Sequence, residues 1–489
     1  MNKLKKSLAL VAVLAIASSA LVACGGNSSS TADTSSSKSE SSAEESKDES
    51  SAEESKDESS EGGAAAELTN EDPTLSILSW TDNDLKNMFA VLFKENSEYN
   101  ADNVKWVQVG TGGEEARDEY VNYFNGGEDC DLFCLEADWI LDYIEKDEYT
   151  APLTDLGFTK DDLTHGYSYV TAIGTDSKGN IKGSSWQATP GGYVYRTDLA
   201  EEYLGAKTPA EMQEFVKDWD TFTATAKKLQ DDGHKIAMAD TLGGMWQVAQ
   251  YNKGAAWVKD GKLVVDDYCT KYLERAKEYY DKGYVTKEAQ WDPNGAWNRI
   301  MQDDSTMGAF LCTWCFGKNG TLSGMEGNST TPDDATEWVT DGVTGGKFNI
   351  TEGPEGWAWG GTWLALSTKC NTKKSAHDFV DFFTVNPDTM KKYALYASEF
   401  VNNKETMKSI IDEGSNKNAY LGGQDQFAVL FNQADKIDMS YVTEYDSVIK
   451  GKFNDAAGKY AKGEFTDAAA AIDDFKAEVK DALPNITVE

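Results

Sequence analysis

The sequence predicts an α/β protein of two domains, and three observations carry that reading. From about Asp72 to Glu489 the composition is globular, and the stretch is too long for one ordinary domain and long enough for two. At its start, short apolar runs alternate with segments of helical periodicity, the pattern of strands paired in parallel with helices on the sheet faces. Ahead of Asp72 the large apolar residues almost vanish, so the packed body has a sharp beginning.

The leader comes first. Lys3, Lys5 and Lys6 precede an apolar run from Leu8 to Ile16 that is too short to span a bilayer. Leu21-Val22-Ala23-Cys24-Gly25 follows. Small residues before a cysteine resemble the bacterial lipoprotein cleavage box, which implies a signal peptide over 1–23 and a diacylglycerol on the Cys24 sulfur. Residues 24–71 are rich in Ser, Glu, Asp and Lys, and Ser41–Glu49 repeats as Ser50–Glu58. Such a segment cannot bury enough apolar area to offset its chain entropy and reads as a disordered tether with a span of about 40 Å.

In the body, Leu75–Trp80 is an apolar strand. Leu85, Met88, Phe89, Leu92 and Phe93 then mark one helix face. Val104–Val109 is a second strand, a helix carries Tyr120, Tyr123 and Phe124, and Asp131–Leu135 is a third strand. Further helices are expected at Trp219–Leu229, Tyr268–Tyr280, Ser375–Val385 and Phe465–Leu483, and Gly317–Thr331 reads as a loop. In sheets of this kind ligands gather beyond the carboxyl ends of strands. Trp80-Thr81-Asp82 and Glu136-Ala137-Asp138-Trp139 occupy two such ends.

Formal net charge is −37, most of it on the body, which argues against nucleic acid and anionic lipid as partners. Besides Cys24 there are Cys130, Cys134, Cys269, Cys312, Cys315 and Cys370. The Cys312–Cys315 pair lacks a second ligand pair for a metal, so a local disulfide or buried thiols are both compatible with it. No zinc-protease helix, nucleophile elbow or phosphate loop is present, and the three histidines are isolated. Neither a cofactor, a metal nor a catalytic role is expected.

An ordered series of short motifs then carries a resemblance. Leu75–Trp80, Gly126–Phe133, Tyr149–Leu156, Lys178–Gly183, Gly191–Leu199, Trp219–Phe222, Met307–Trp314 and Gly360–Ser367 resemble, in sequence order, segments of the family 1 extracellular solute-binding proteins of the maltodextrin type. The resemblance implies a periplasmic-binding-protein-like fold, two α/β lobes closing on a ligand in an interlobe cleft, with a hinge crossed three times. Carried over by motif, the crossings fall near Gly183, Gly360-Gly361 and Ser398-Glu399. They divide the body into lobe one (72–183 plus 362–398) and lobe two (184–361 plus 399–489). It also implies the partners: a carbohydrate, the permease subunits of an ABC importer, and the membrane through Cys24. A monomer on the extracytoplasmic face, on a Gram-positive-like surface, is expected.

A sugar offers weakly apolar C–H faces to aromatic rings and hydroxyls to carboxylates, amides and guanidinium groups. The chain has 14 Trp and 22 Tyr to supply the first. Trp357, Trp359 and Trp363 would share a face if Gly356–Ser367 were one strand. Trp80, Trp139, Trp186 and Trp314 are further stacking candidates. Asp82 and Asp138 are the preferred hydroxyl acceptors, with Arg196 and Glu399 behind them; helix capping is the structural alternative for both aspartates. Two other functions fit the same sequence: a receptor for a polyamine or peptide, and a surface glycan-active enzyme.

Overall fold

The computed structural model describes residues 67–80, 103–110, 113–332, 335 and 337–489. The expected helix through Leu85 and Phe93, Asp82 and Cys24 lie outside them. β1 (Leu75–Ser79), β2 (Val104–Gln108) and β3 (Leu132–Glu136) form as the apolar runs predict. β1 pairs in parallel with both β2 and β3. β4 (Thr150–Ala151), β5 (Gly183–Ser185) and β11 (Thr362–Ser367) complete the first sheet, in the order β2-β1-β3-β11-β4 with β5 also on β11. Strand β11 runs antiparallel to β3, β4 and β5. Buried Asp131 ties the start of β3 to β1, accepting from Ser76 N at 2.8 Å and Ser76 Oγ at 2.7 Å, and to the turn after β11, accepting from Asn371 N at 3.0 Å.

The second sheet contains β6 (Gly191–Arg196), β9 (Gly308–Cys312) and β10 (Phe348–Thr351), ordered β10-β6-β9 and wholly antiparallel, while β7 (Val258–Lys259) and β8 (Lys262–Leu263) pair with each other apart from it. Each sheet has its own aromatic core. Tyr120 packs edge-on to Phe133 and Trp139 against the first. Tyr193, Phe222, Phe310 and Trp219 interlock on the second. A helical layer of Asp267–Lys282, Asp446–Ala461 and Ala468–Ala482 lies beside the second sheet, with Phe453 between Trp257 and Phe475. Among the described residues no helix is long and apolar enough to cross a membrane.

Helix ends follow capping chemistry. The helix expected from Phe465 begins at Ala468, because the Asp467 side chain accepts from Ala470 N at 2.9 Å. Trp219–Asp231 starts at Trp219 because Asp218 accepts from Thr221 N at 2.7 Å. The Gly317–Thr331 reading as a loop needs correction: Thr321–Glu326 is helical, with Leu322 and Met325 drawn into the core. All six described cysteines are unbridged, and Cys312 and Cys315 are buried thiols.

Three passages join the sheets. The first runs over 186–190, since β5 still pairs in the first sheet. The second ends at Gly360 and Gly361, whose φ of 68° and 116° few other residues adopt. The third follows Ser398. Bridges join Gln187 to Val401 and Pro190 to Ala358. Gln187, 5 % exposed, donates from Nε2 to Glu399 Oε1 at 2.5 Å and accepts from Thr362 N at 2.8 Å, so one side chain ties all three passages.

Gly191, where the first passage enters β6, packs against the Trp357 ring so closely that a Cβ there would lie 2.2 Å from Cζ2. Gly191→Ala is expected to destabilise the protein by about 3 kcal/mol through overpacking. The readout is a lower urea midpoint at unchanged slope; an unchanged midpoint would show that the passage yields freely.

Candidate functional site

The carboxyl end of β9 runs into Trp314, and the second passage delivers Trp359 beside it. The Trp314 indole N–H donates to Trp359 O at 3.1 Å, and the two rings meet edge to face at 4.6 Å. Trp297 lies behind Trp359, 6.4 Å between centroids, and donates its indole N–H to Asp240 Oδ2 at 2.8 Å. Trp291 completes the wall, nearly parallel to Trp314 at 5.9 Å with 16° between planes, and edge-on to Trp297 at 4.7 Å. It is 58 % exposed, and its φ is +60°. A bulky residue in the left-handed region is strained by about 1–3 kcal/mol and persists where surrounding structure enforces it, often at a ligand site.

Glu136, at the carboxyl end of β3, faces this wall across Gly360. A Cβ on Gly360 would lie 3.5 Å from Trp314 Nε1 and 3.6 Å from Glu136 Oε1, so glycine lets indole edge and carboxylate border the same space. Glu136 Oε2 accepts from Asp138 N at 2.7 Å. Asp138 reaches the other side of the molecule: Lys450 Nζ donates to its Oδ1 at 2.5 Å and Tyr251 Oη at 2.8 Å. Burial alone would raise the Asp138 carboxyl; the Lys450 charge and these hydrogen bonds outweigh it and hold the group below its ordinary range. From Lys450 a chain of amides continues through Gln250 at 3.4 Å, Gln247 and Gln290 to the neighbour of Trp291. The Gln290 Nε2 is buried and has no hydrogen-bond partner among the described residues.

The carboxyl ends of β3 and β9 thus bring a carboxylate beside a tryptophan wall, with an amide donor that has no partner among the described residues next to Trp291 in the chain. The family model for bacterial extracellular solute-binding proteins matches residues 95–420. The chain belongs to that family. No curated protein matches it. Among solved structures, an extracellular solute-binding protein of family 1 superposes with a TM-score of 0.70 at 20 % identity, covering 84 % of this chain and 99 % of that one. The galacto-N-biose/lacto-N-biose I-binding protein of the ABC transporter from Bifidobacterium longum, in complex with lacto-N-biose, gives 0.63 at 16 % identity, covering 86 % and 100 %. The ABC transporter associated binding protein from B. animalis subsp. lactis Bl-04, in complex with β-1,6-galactobiose, gives 0.61 at 17 %, covering 84 % and 97 %. These likenesses establish the periplasmic-binding-protein-like fold.

Within this solute-binding protein the candidates from sequence separate. Trp314 and Trp359 meet at the wall, Asp138 is linked to it through Glu136, and Trp80 is half-buried at the end of β1, edge-on to Trp139. Others belong to the core. Trp363 does not share a strand face with Trp359, because the turn at Gly360-Gly361 breaks the segment and β11 starts only at Thr362, and Trp357, on the same side of that turn as Trp359, is buried. Trp357 packs edge-on to Phe310, and Trp363 donates to Val170 O at 3.1 Å. Trp139 and Trp186 are 3 % and 1 % exposed. Arg196 is spent on Asp198, Asp304 and the carbonyls of Met301 and Asp303, a structural knot at the far end of β6. Glu399 serves the passages through Gln187 and Tyr393. Sequence reasoning missed Trp291, Trp297, Gln290 and Lys450. The available signal was Gln290-Trp-Asp-Pro-Asn-Gly-Ala-Trp297, two tryptophans flanking turn residues.

Asp240, fully buried, fixes Trp297 and also accepts from Phe310 N at 3.4 Å. Burial raises its carboxyl to about 6, against about 3.9 in an unfolded chain. Its contribution to stability is therefore whole below about pH 4 and lost as pH rises through about 6, roughly 3 kcal/mol in all. Asp240→Asn keeps an acceptor for Trp297 and removes the titration. Its stability relative to the parent is expected to rise by that amount between about pH 4 and pH 7, measured by urea unfolding; parallel pH profiles would contradict this.

Proposed function

We propose that this chain is the lipid-anchored substrate-binding protein of an ABC importer, that it captures an oligosaccharide at the Trp291–Trp314–Trp359 wall, and that it hands the sugar to the permease. The exposed, strained Trp291 ring stacked on Trp314 opposite Glu136 carries the reading: one face for sugar C–H groups, with a carboxylate and an amide for hydroxyls. The sugar-loaded neighbours of the same fold support it. In this reading the three passages are a hinge between lobe one (72–183 plus 362–398) and lobe two (184–361 plus 399–489). The Asp138–Lys450 pair draws the lobes together, and Cys24 carries the anchor ahead of a long tether. Hydrolysis is disfavoured at Asp138: a general acid needs a raised pKa, and Lys450 lowers this one.

A thermal-shift screen of the full chain against neutral mono- and oligosaccharides, polyamines and short peptides tests the proposal. A saccharide at a hundredfold excess over Kd adds about 2.7 kcal/mol to apparent stability. Shifts confined to polyamines or peptides would overturn the sugar assignment, and saccharide turnover would overturn the pure receptor. Trp291→Gly removes the stacking face at a backbone conformation glycine accepts. It is expected to keep the parent melting temperature within about 4 °C while weakening saccharide binding at least about tenfold, or 1.4 kcal/mol.

A further inference from the structure

Two cysteines bracket a tight turn at the carboxyl end of β9. Cys312 is the extended residue that opens a 3-10 turn over Thr313–Phe316, and Cys315 follows three residues on. In such a turn positions three apart eclipse, with a rise of about 2 Å per residue, so they stand about 6 Å apart. That separation is one a disulfide can bridge. Both cysteines are fully buried, and the Cys312 thiol hydrogen-bonds that of Cys315.

The two residues between the sulfurs hold the joint between the sheets. Thr313 N donates to Pro190 O at 3.1 Å in the first passage, and the Thr313 hydroxyl accepts from Phe400 N in the third. Trp314 donates its indole N–H to Trp359 O in the second passage and stands in the tryptophan wall. A change of covalent state across this turn therefore reaches all three passages at once. Burial pushes the Cys312 thiol well above its ordinary range, and the Cys315 thiol beside it adds to the rise. The thiolate, which is the attacking form, is then scarce in the folded protein. The pair keeps the state it holds when the body closes around it.

We infer that Cys312 and Cys315 are a thiol–disulfide couple, set to the disulfide when the chain folds in oxidising surroundings, and that the disulfide stiffens the joint beneath Trp314. The form described above is the dithiol. The family is extracellular, and extracellular surroundings favour disulfides. The bond forms by exchange with an external disulfide. The thiolate of one cysteine attacks a sulfur of that disulfide, and one external thiol leaves with a proton. The second cysteine gives up its own proton and attacks the sulfur of the first. The mixed disulfide breaks, and the second external thiol leaves. Two electrons and two protons thus pass from the pair to the external disulfide. The couple acts on the joint itself, whichever solute is bound.

Cell-free synthesis of the full chain, with reduced glutathione alone or with glutathione disulfide in excess, tests it. Free thiols are alkylated after unfolding, and the peptides are mapped by mass. With the oxidant present, the peptide holding Cys312 and Cys315 is expected to resist alkylation and to lack two hydrogens. Without it, both cysteines are expected to be alkylated. Oxidant added only after folding is expected to form the bond at least about a hundredfold more slowly. Hydrogen exchange at the Thr313 and Phe400 amides is expected to be at least about tenfold slower in the disulfide form. Cys315→Ala and Cys312→Ala are each expected to remove that difference, and either suffices if the other fails to fold. Free thiols at both positions after oxidising synthesis, pairing of either with another cysteine, equally fast oxidation of the folded dithiol, or equal exchange in the two forms would overturn it.

Discussion

Gln187 is the interaction on which the rest of the structure depends. Its amide accepts from Thr362 N where the chain returns to the first sheet and donates to Glu399 where it leaves again, while its own backbone forms the first passage. Each contact is buried, so each would cost its full desolvation if left unmade. The node holds the second passage in one place, and that passage carries Trp359 and Gly360. Trp359 seats Trp314, and Gly360 lets Glu136 approach it. The tryptophan wall is therefore positioned from the joint between the sheets outward.

The same arrangement places opposing demands on one region. The wall needs a rigid tryptophan cluster, which Asp240 anchors at the cost of a buried carboxyl held near pH 6. Capture between lobes needs parts that can approach and separate. In the proposed reading the Asp138–Lys450–Tyr251 contact answers the second need: a charged pair is strong when water is excluded and weak when it is admitted. That reading concentrates rigidity in aromatic packing and reversibility in a polar contact.

Much of the fold was legible because periodicity reports burial. β1, β2 and β3 lie where short apolar runs place them, and the long helices differ from expectation mainly at capped ends such as Asp467. The site was less legible. Trp359 and Trp363 are four residues apart, yet one lines the wall and the other supports the sheet. The turn at Gly360-Gly361 separates them, and a strand-period argument could not register it. Arg196 resembled a ligand residue by its motif, but its partners Asp304 and Met301 lie a hundred residues away and only folding brings them together. Trp291 was overlooked because a left-handed aromatic in a turn has no periodic signature. Its importance is visible only once four rings converge.

The central claim is that the exposed face of Trp291, in the wall whose Trp314 neighbours Glu136 across Gly360, is the sugar platform. A crystal structure of the chain with a saturating neutral oligosaccharide tests it most directly. The account predicts a sugar ring stacked on Trp291, with hydroxyls donating to Glu136 and accepting from Gln290 Nε2. A saccharide bound elsewhere, with Trp291 still solvent-exposed, would contradict it.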